Sequence, residues 1–169
     1  MKQDELTLLR PAKTSFILFS LGAGLLLNML PWTDQQWMPD FVAVILVFWN
    51  INQPRRVGIG AAWILGLFMD VHSASLLGEH ALGYSLLSYF AISLHRRVLW
   101  FSLGWQMMHL FPLFFFNLLV VLVVRMMVDQ GYYEWSWFIP ALSNTLAWPV
   151  VHVLLLAPQH HVKSADNEL

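Results

Sequence analysis

Apolar residues are gathered into long runs that short polar stretches interrupt. Apolar segments lie at residues 15–31, 41–51, 57–71, 76–94, 98–124 and 137–157. A helix rises about 1.5 Å per residue, so about 20 apolar residues cross the roughly 30 Å hydrocarbon core of a membrane. The pattern predicts about six transmembrane helices within residues 15–157. The second and third are short enough to be either short spans or a re-entrant hairpin.

The composition supports a membrane protein. Hydrophobic residues make up 58% of the chain and charged residues 11%, whereas soluble domains carry about 25% charged residues. We therefore predict an all-α integral membrane protein with no room for a soluble catalytic domain. The absence of cysteine excludes thiolate catalysis and cysteine metal sites. A net charge of -1 without a basic stripe argues against a nucleic-acid partner.

The positive charges predict the orientation of the bundle. With the exception of Arg125, the lysines and arginines fall on one predicted side: Lys2, Arg10, Lys13, Arg55, Arg56, Arg96, Arg97 and Lys163. By the positive-inside rule this side is cytoplasmic, and both tails, at residues 1–14 and 158–169, lie there. The outer side then displays the acidic residues Asp34, Asp40, Asp70, Glu79, Asp129 and Glu134.

Small residues recur every four positions in the third segment. Gly58, Ala62, Gly66 and Asp70 share one face of a helix at this spacing. The three small residues form a groove that permits close helix packing, and the carboxylate closes its end. Because a carboxylate among apolar helices costs free energy, another group has to compensate it.

Two carboxylates lie beside predicted helix ends. Asp40 follows Pro39 and is placed to cap the second helix, where an anion accepts hydrogen bonds from backbone N–H groups. Asp70 lies at a helix C-terminus, which is the wrong end for an anion. It could cap the turn that leads into the fourth helix, or Ser73 or Ser75 could cap that helix instead. The sequence leaves both possibilities open.

Polar residues inside the predicted spans also repeat at helical spacing. Ser20, Gly24 and Asn28 share a face of the first helix, and Asn144 and His152 share a face of the sixth. We expect both faces to look inward and to form hydrogen bonds between helices.

Metal binding, catalysis and transport are the alternatives to a packing role. Four possible metal ligands lie close together in the sequence: Asp70, His72, Glu79 and His80. Their spacing matches no zinc signature, so no metal is predicted. Asp40 and Asp70 could approach as a carboxylate pair, but neither has a recognisable catalytic context, so we predict no enzyme, no catalytic residue and no cofactor. A small-molecule-binding or transport subunit, favoured by short helices with dispersed polar groups, remains the alternative function.

The region from residue 39 to residue 82 resembles a known family. The resemblance rests on Pro39-Asp40, Val47-Phe48-Trp49, Pro54, Gly58, Gly66-Leu67, Asp70-Val71 and Leu77-Gly78 with His80-Ala81-Leu82. These positions are similar to those of MreD, a family of small rod shape-determining proteins of the bacterial inner membrane.

The resemblance implies a non-enzymatic scaffold of the cell-elongation machinery that supports rod shape and lateral peptidoglycan synthesis. It implies MreC as the direct partner, with MreB, RodA and a penicillin-binding transpeptidase as indirect partners and membrane lipid around the helices. It also implies a fold similar to the six-helix vitamin-binding S-subunits of energy-coupling-factor transporters, although no small-molecule substrate is expected.

The groove and the resemblance together select candidate residues. We expect the groove of the third helix to receive the transmembrane or juxtamembrane region of MreC, with Asp70 as its polar anchor. The candidates for partner docking or for a structural role are Pro39, Asp40, Gly58, Ala62, Gly66, Asp70, Gly78 and His80.

Overall fold

The computed structural model describes residues 12–31, 37–128 and 135–157, and it contains helices but no strand within these ranges. The helices are α1 (Thr14–Met29), α2 (Phe41–Asn52), α3 (Ile59–His72), α4 (Glu79–Leu99), α5 (Leu103–Val128) and α6 (Ile139–Leu156). A 3-10 turn, Trp135–Phe138, precedes α6. Each of the six apolar segments overlaps one of these helices, so the all-α class is confirmed.

The fourth helix differs from its predicted bounds at both ends. It begins at Glu79 because Gly78 takes a left-handed conformation with φ of 104°, which a residue with a side chain rarely adopts. It then continues through Arg96 and Arg97, where the apolar run has already ended. Cations in the last turn of a helix interact favourably with its dipole, so α4 persists where hydrophobicity alone predicted its end.

The short helix α2 lies at the centre of the bundle. Each residue from Val42 to Ile51 is buried, as expected for a helix that is hydrophobic on every side. It contacts α1, α4 and α6, while α3 contacts α1 and α4, and α5 contacts α4 and α6. Within the described ranges, α1, α4 and α6 therefore pack around α2, and α3 and α5 join the bundle through those helices.

The polar faces of α1 and α6 look inward, as predicted. Ser20 is buried and accepts a hydrogen bond from Nε1 of Trp49 at 2.8 Å. Gly24 lies against α2, because a Cβ there would be 2.8 Å from Cδ1 of Ile45. From the opposite side, the buried side chain of Asn144 reaches the N-terminus of α2.

In the part of the chain that the structure describes, two helical stretches are long and apolar enough to cross a membrane. They are Leu103–Val128 and Trp135–Leu156, and only 33% of the most apolar window of each is buried. The core helix of a soluble protein would be mostly buried, and large exposed apolar surfaces on soluble monomers are uncommon. The exposure of these helices therefore fits association with lipid. The helices α1, α2 and α3 are apolar but shorter.

Candidate functional site

Asp70 caps the helix that follows it. Its side chain is buried, and Oδ2 accepts a hydrogen bond from the N–H of Gly78 at 2.8 Å while Oδ1 accepts one from the N–H of His80 at 2.7 Å. These donors lie at the start of α4, where backbone N–H groups have no partner within the helix. Ser75 donates its hydroxyl to the same carboxylate at 3.2 Å. Of the two possibilities that the sequence left open, the structure contains the cap by Asp70.

The small-residue face of α3 is filled by α4 of the same chain. Ala62 is buried, and a Cβ on Gly66 would lie 2.3 Å from Cα of Ala81 and 2.5 Å from its nitrogen. Only glycine allows two backbones to approach this closely. The groove is therefore closed to a partner segment, contrary to the prediction, because α4 occupies it. Gly58 is not part of this contact: it is the N-cap of α3, and a Cβ there would meet nothing within 4 Å.

Asp40 caps α2, as predicted, and also joins other helices to it. Its Oδ1 accepts hydrogen bonds from the N–H of Ala43 at 3.0 Å and from Nδ2 of Asn28 at 2.7 Å. Its Oδ2 accepts one from the hydroxyl of Tyr84 at 2.6 Å, and its own N–H donates to Oδ1 of Asn144 at 2.6 Å. Through these hydrogen bonds, one residue connects α1, α4 and α6 to the N-terminus of α2.

His80 lies between Asp70, which it contacts directly, and Tyr84, which contacts Asp40. It does not form a catalytic triad. Its Nδ1 lies 2.9 Å from Oδ1 of Asp70, and its ring packs edge-on against Tyr84 with centroids 6.0 Å apart. Tyr84 in turn reaches Asp40. The hydroxyl of Ser75 lies 3.5 Å from the same Nδ1. In a Ser-His-Asp triad the serine and the aspartate face different ring nitrogens, so this arrangement cannot relay a proton from Ser75 to Asp70 through the ring.

Sequence reasoning missed an ion pair between α4 and α5. Oε1 of the buried Glu79 lies 2.7 Å from Nη2 and 3.0 Å from Nε of Arg125. The guanidinium of Arg125 also lies 4.6 Å from the ring centroid of Trp137, which adds a cation–π contact to the 3-10 turn. Glu79 and Arg125 are 46 positions apart in the sequence, so no local sequence pattern predicts the ion pair. Tyr84 was missed for a related reason, since a tyrosine in an apolar helix gives no polar signal.

These contacts correct the predicted acidic outer surface. Asp70 and Glu79 are buried and paired inside the bundle, and Asp40 is partly buried in its network. Their charges are therefore not displayed to an incoming partner. The remaining predicted members, Asp34, Asp129 and Glu134, lie outside the described residues, as do the residues of both predicted tails except 12–14.

A cavity of about 560 Å³ lies beside this network, and we name it the Asp40 cavity. Residues of α1, α3, α4, α5 and α6 line it, together with the segment before α2 that contains Pro39. Its polar lining includes Asn28, Asp40, His80 and Asn117. Within the described ranges, no three His, Asp or Glu side chains are grouped as metal ligands would be.

Sequence comparisons match this chain to one family. The family described as rod shape-determining protein MreD matches residues 10–157. The chain is 27% identical over 139 residues to the rod shape-determining protein MreD of Haemophilus influenzae, which covers 81% of this chain and 86% of that protein. No solved structure matches the chain. Because the family match extends over most of its length, the chain belongs to the MreD family of rod shape-determining proteins.

Proposed function

We propose that this protein is a non-enzymatic membrane scaffold of the cell-elongation machinery that supports rod shape by binding MreC. Membership of the MreD family supports the role in rod shape. Through MreC, the scaffold would associate indirectly with MreB, RodA and a penicillin-binding transpeptidase, and so support lateral peptidoglycan synthesis. The family resemblance also suggests a fold like that of the vitamin-binding S-subunits, which superposition on an experimental structure would test.

The use of the buried polar groups favours a rigid scaffold. The carboxylates of Asp40 and Asp70 accept hydrogen bonds from backbone N–H groups at the starts of helices. Glu79 forms an ion pair with Arg125. Such satisfied buried networks rigidify a fold and specify one arrangement of its helices. We propose that Pro39, Gly66, Gly78 and the other candidate residues assist docking indirectly, by maintaining the shape of this body.

The side of the bundle formed by α1 and α3 is the proposed MreC surface. These helices have 16 and 14 residues, so they extend only about 24 and 21 Å against a hydrocarbon core of about 30 Å. Helices shorter than the core are accommodated partly by packing against other proteins. Unlike α2, which is shorter still but buried, α3 presents an exposed apolar face that includes Trp63, Ile64 and Phe68. A transmembrane helix of MreC would cover this face.

Alanine at both Ile64 and Phe68 tests this surface. The matched control is alanine at both Leu142 and Leu146 on the outward face of α6, since the exposures are 52 and 57% in the first pair and 54 and 58% in the second. We expect the α3 pair to reduce recovery of co-purified MreC about tenfold, as the loss of one or two interface hot spots would.

The same pair of variants is compared in cells that lack their own MreD family protein. The α3 pair should fail to restore rod shape while reaching the membrane in normal amount, and the α6 pair should restore it. Unchanged recovery of MreC with the α3 pair, or equal losses with both pairs, would contradict the assignment to α3.

Cysteine labelling tests the proposed orientation in the inner membrane, with both termini in the cytoplasm. The chain contains no cysteine, so one introduced thiol gives an unambiguous signal. Ser73→Cys should react with a membrane-impermeant maleimide added to cells with a permeabilised outer membrane, because the turn after α3 is placed outside. Gln53→Cys, in the turn after α2, should react only after the inner membrane is opened. The reverse pattern would overturn the orientation.

A further inference from the structure

Asn117 lies in the wall of the Asp40 cavity but does not offer its oxygen to it. The residue belongs to α5 and is 3% exposed. Its Oδ1 is fully buried and lies against α4, since a Cβ on Gly83 would be 2.8 Å from it. A ligand in the cavity would therefore use acceptors from other residues.

His80 offers a hydrogen-bond acceptor on the cavity wall. Its Nδ1 faces the carboxylate of Asp70 at 2.9 Å, and because a carboxylate accepts, Nδ1 carries the proton. In a neutral imidazole the other nitrogen, Nε2, is then an acceptor. Among the described residues, Nε2 has no hydrogen-bond partner.

Asp40 adds a negative charge that the described residues do not neutralise. All three groups that reach its carboxylate, from Asn28, Ala43 and Tyr84, are uncharged donors. The guanidinium of Arg125 pairs with Glu79 instead. Among the described residues that line the cavity there is no lysine or arginine. A partly buried charge of this kind is stabilised by a cation that can also donate hydrogen bonds.

We propose that the Asp40 cavity binds a primary ammonium group carried on an apolar body. The ammonium would donate to the carboxylate of Asp40 and to Nε2 of His80. The apolar body would lie against side chains such as Leu118 and Val121, which line the same cavity. A volume of about 560 Å³ lies within the usual range for small-molecule sites, about 300 to 1,000 Å³. This site is independent of MreC binding.

Two sources could supply this chemistry. An amine lipid headgroup, such as that of phosphatidylethanolamine, would bring its ammonium from the surrounding membrane. A free amine would instead enter from the aqueous side. The ammonium recognition is the same in both cases, so the experiment distinguishes the source after it has tested the site.

Thermal unfolding of the purified full chain tests the site with phenethylammonium, compared with the uncharged 2-phenylethanol. A ligand that binds only the folded protein raises its Tm. At an amine concentration about a hundredfold above Kd, we expect a rise of about 5 to 10 °C. The alcohol at the same concentration should produce no comparable rise. Equal rises with both compounds would overturn the ammonium assignment, as would no rise with either.

Two tryptophan variants locate the binding. Leu118→Trp fills the cavity, whereas Leu119→Trp places the same side chain on the adjacent, exposed position of α5. The rise in Tm should disappear in the first variant and persist in the second. A rise that persists in Leu118→Trp would place the amine elsewhere and overturn the proposal.

Asp40→Asn tests the charge separately from the packing. Asparagine is as good an N-cap as aspartate, so α2 should remain folded while the cavity loses its anion. The response to phenethylammonium should fall at least about tenfold in affinity, which corresponds to one charged contact. Undiminished affinity in a folded Asp40→Asn protein would contradict the role of the carboxylate.

Reconstitution identifies the source. Nanodiscs of phosphatidylethanolamine are compared with nanodiscs of phosphatidylcholine, whose methylated nitrogen cannot donate hydrogen bonds. A higher Tm in phosphatidylethanolamine that Leu118→Trp abolishes supports a lipid headgroup in the cavity. Equal Tm values in the two lipids, together with stabilisation by phenethylammonium in both, support a free amine.

Discussion

Replacement of Gly66 by alanine is expected to destabilise the protein by about 3 kcal/mol or more. The added Cβ would lie 2.3 Å from Cα of Ala81, a distance that no flexible side chain can relieve because the neighbouring atom belongs to the backbone. The helices α3 and α4 would have to separate, and overpacking of this kind typically costs about 1 to 3 kcal/mol and occasionally more. For a chain of this size the Tm should fall by about 6 to 12 °C.

Gly22→Ala is the matched control for Gly66→Ala. Gly22 lies within α1, is exposed, and a Cβ there would meet nothing within 4 Å. Alanine is favoured over glycine inside a helix by about 0.5 to 1 kcal/mol, so this variant should be neutral or slightly more stable. Both are measured by thermal unfolding in the same detergent. If Gly66→Ala retained the Tm of the original protein, the close contact between α3 and α4 would be refuted.

Replacement of Asp70 by alanine is expected to release the start of α4. The N–H groups of Gly78 and His80 would lose their acceptor. The loss of a helix N-cap costs about 0.5 to 2 kcal/mol, and each buried donor left unsatisfied costs about 1 to 3 kcal/mol. We therefore expect a loss of about 3 kcal/mol in the free energy of unfolding. Asp70→Asn should be intermediate, since an amide has one acceptor oxygen for two backbone donors.

Hydrogen exchange gives the local measurement for the Asp70 variants. Protection of the amides of Gly78 and His80 should fall strongly in Asp70→Ala. Ser75→Ala is the control, because it removes hydroxyl contacts to Asp70 at 3.2 Å and to Ser73 at 3.1 Å but leaves both backbone donors paired with Asp70. A hydrogen bond of this kind contributes about 0.5 to 1.5 kcal/mol. Equal, small changes in the two variants would show that Asp70 does not cap α4.

Asp40 and Asp70 illustrate what local sequence can decide. Asp40 is followed directly by the helix that it caps, so the positions of proline, aspartate and the apolar run were enough to predict its role. Asp70 caps a helix that starts nine positions later, at Glu79. Between them lies a turn that ends in the left-handed Gly78, and several serine or aspartate caps fit that turn equally well. Only the approach of α3 to α4 selects one.

The groove of α3 shows the same limit for packing. The four-residue repeat of Ala62, Gly66 and Asp70 correctly predicts a face for close helix contact, because small side chains on one face permit backbone approach. It does not state whether the second helix comes from the same chain or from a partner. In the structure that helix is α4, with Ala81 against Gly66.

Composition and spacing along one helix were enough to predict the all-α class, the approximate positions of the six helices in the described ranges and the inward faces of α1 and α6. The tertiary structure alone decided which groups meet. Asp40 and Asn144 are 104 positions apart and Glu79 and Arg125 are 46 apart, yet each pair is within hydrogen-bond distance. Such contacts, and the Asp40 cavity that they enclose in part, depend on how the helices pack together. The periodicity of a sequence shows which face of a helix is apolar, but it does not specify which other helix packs against that face.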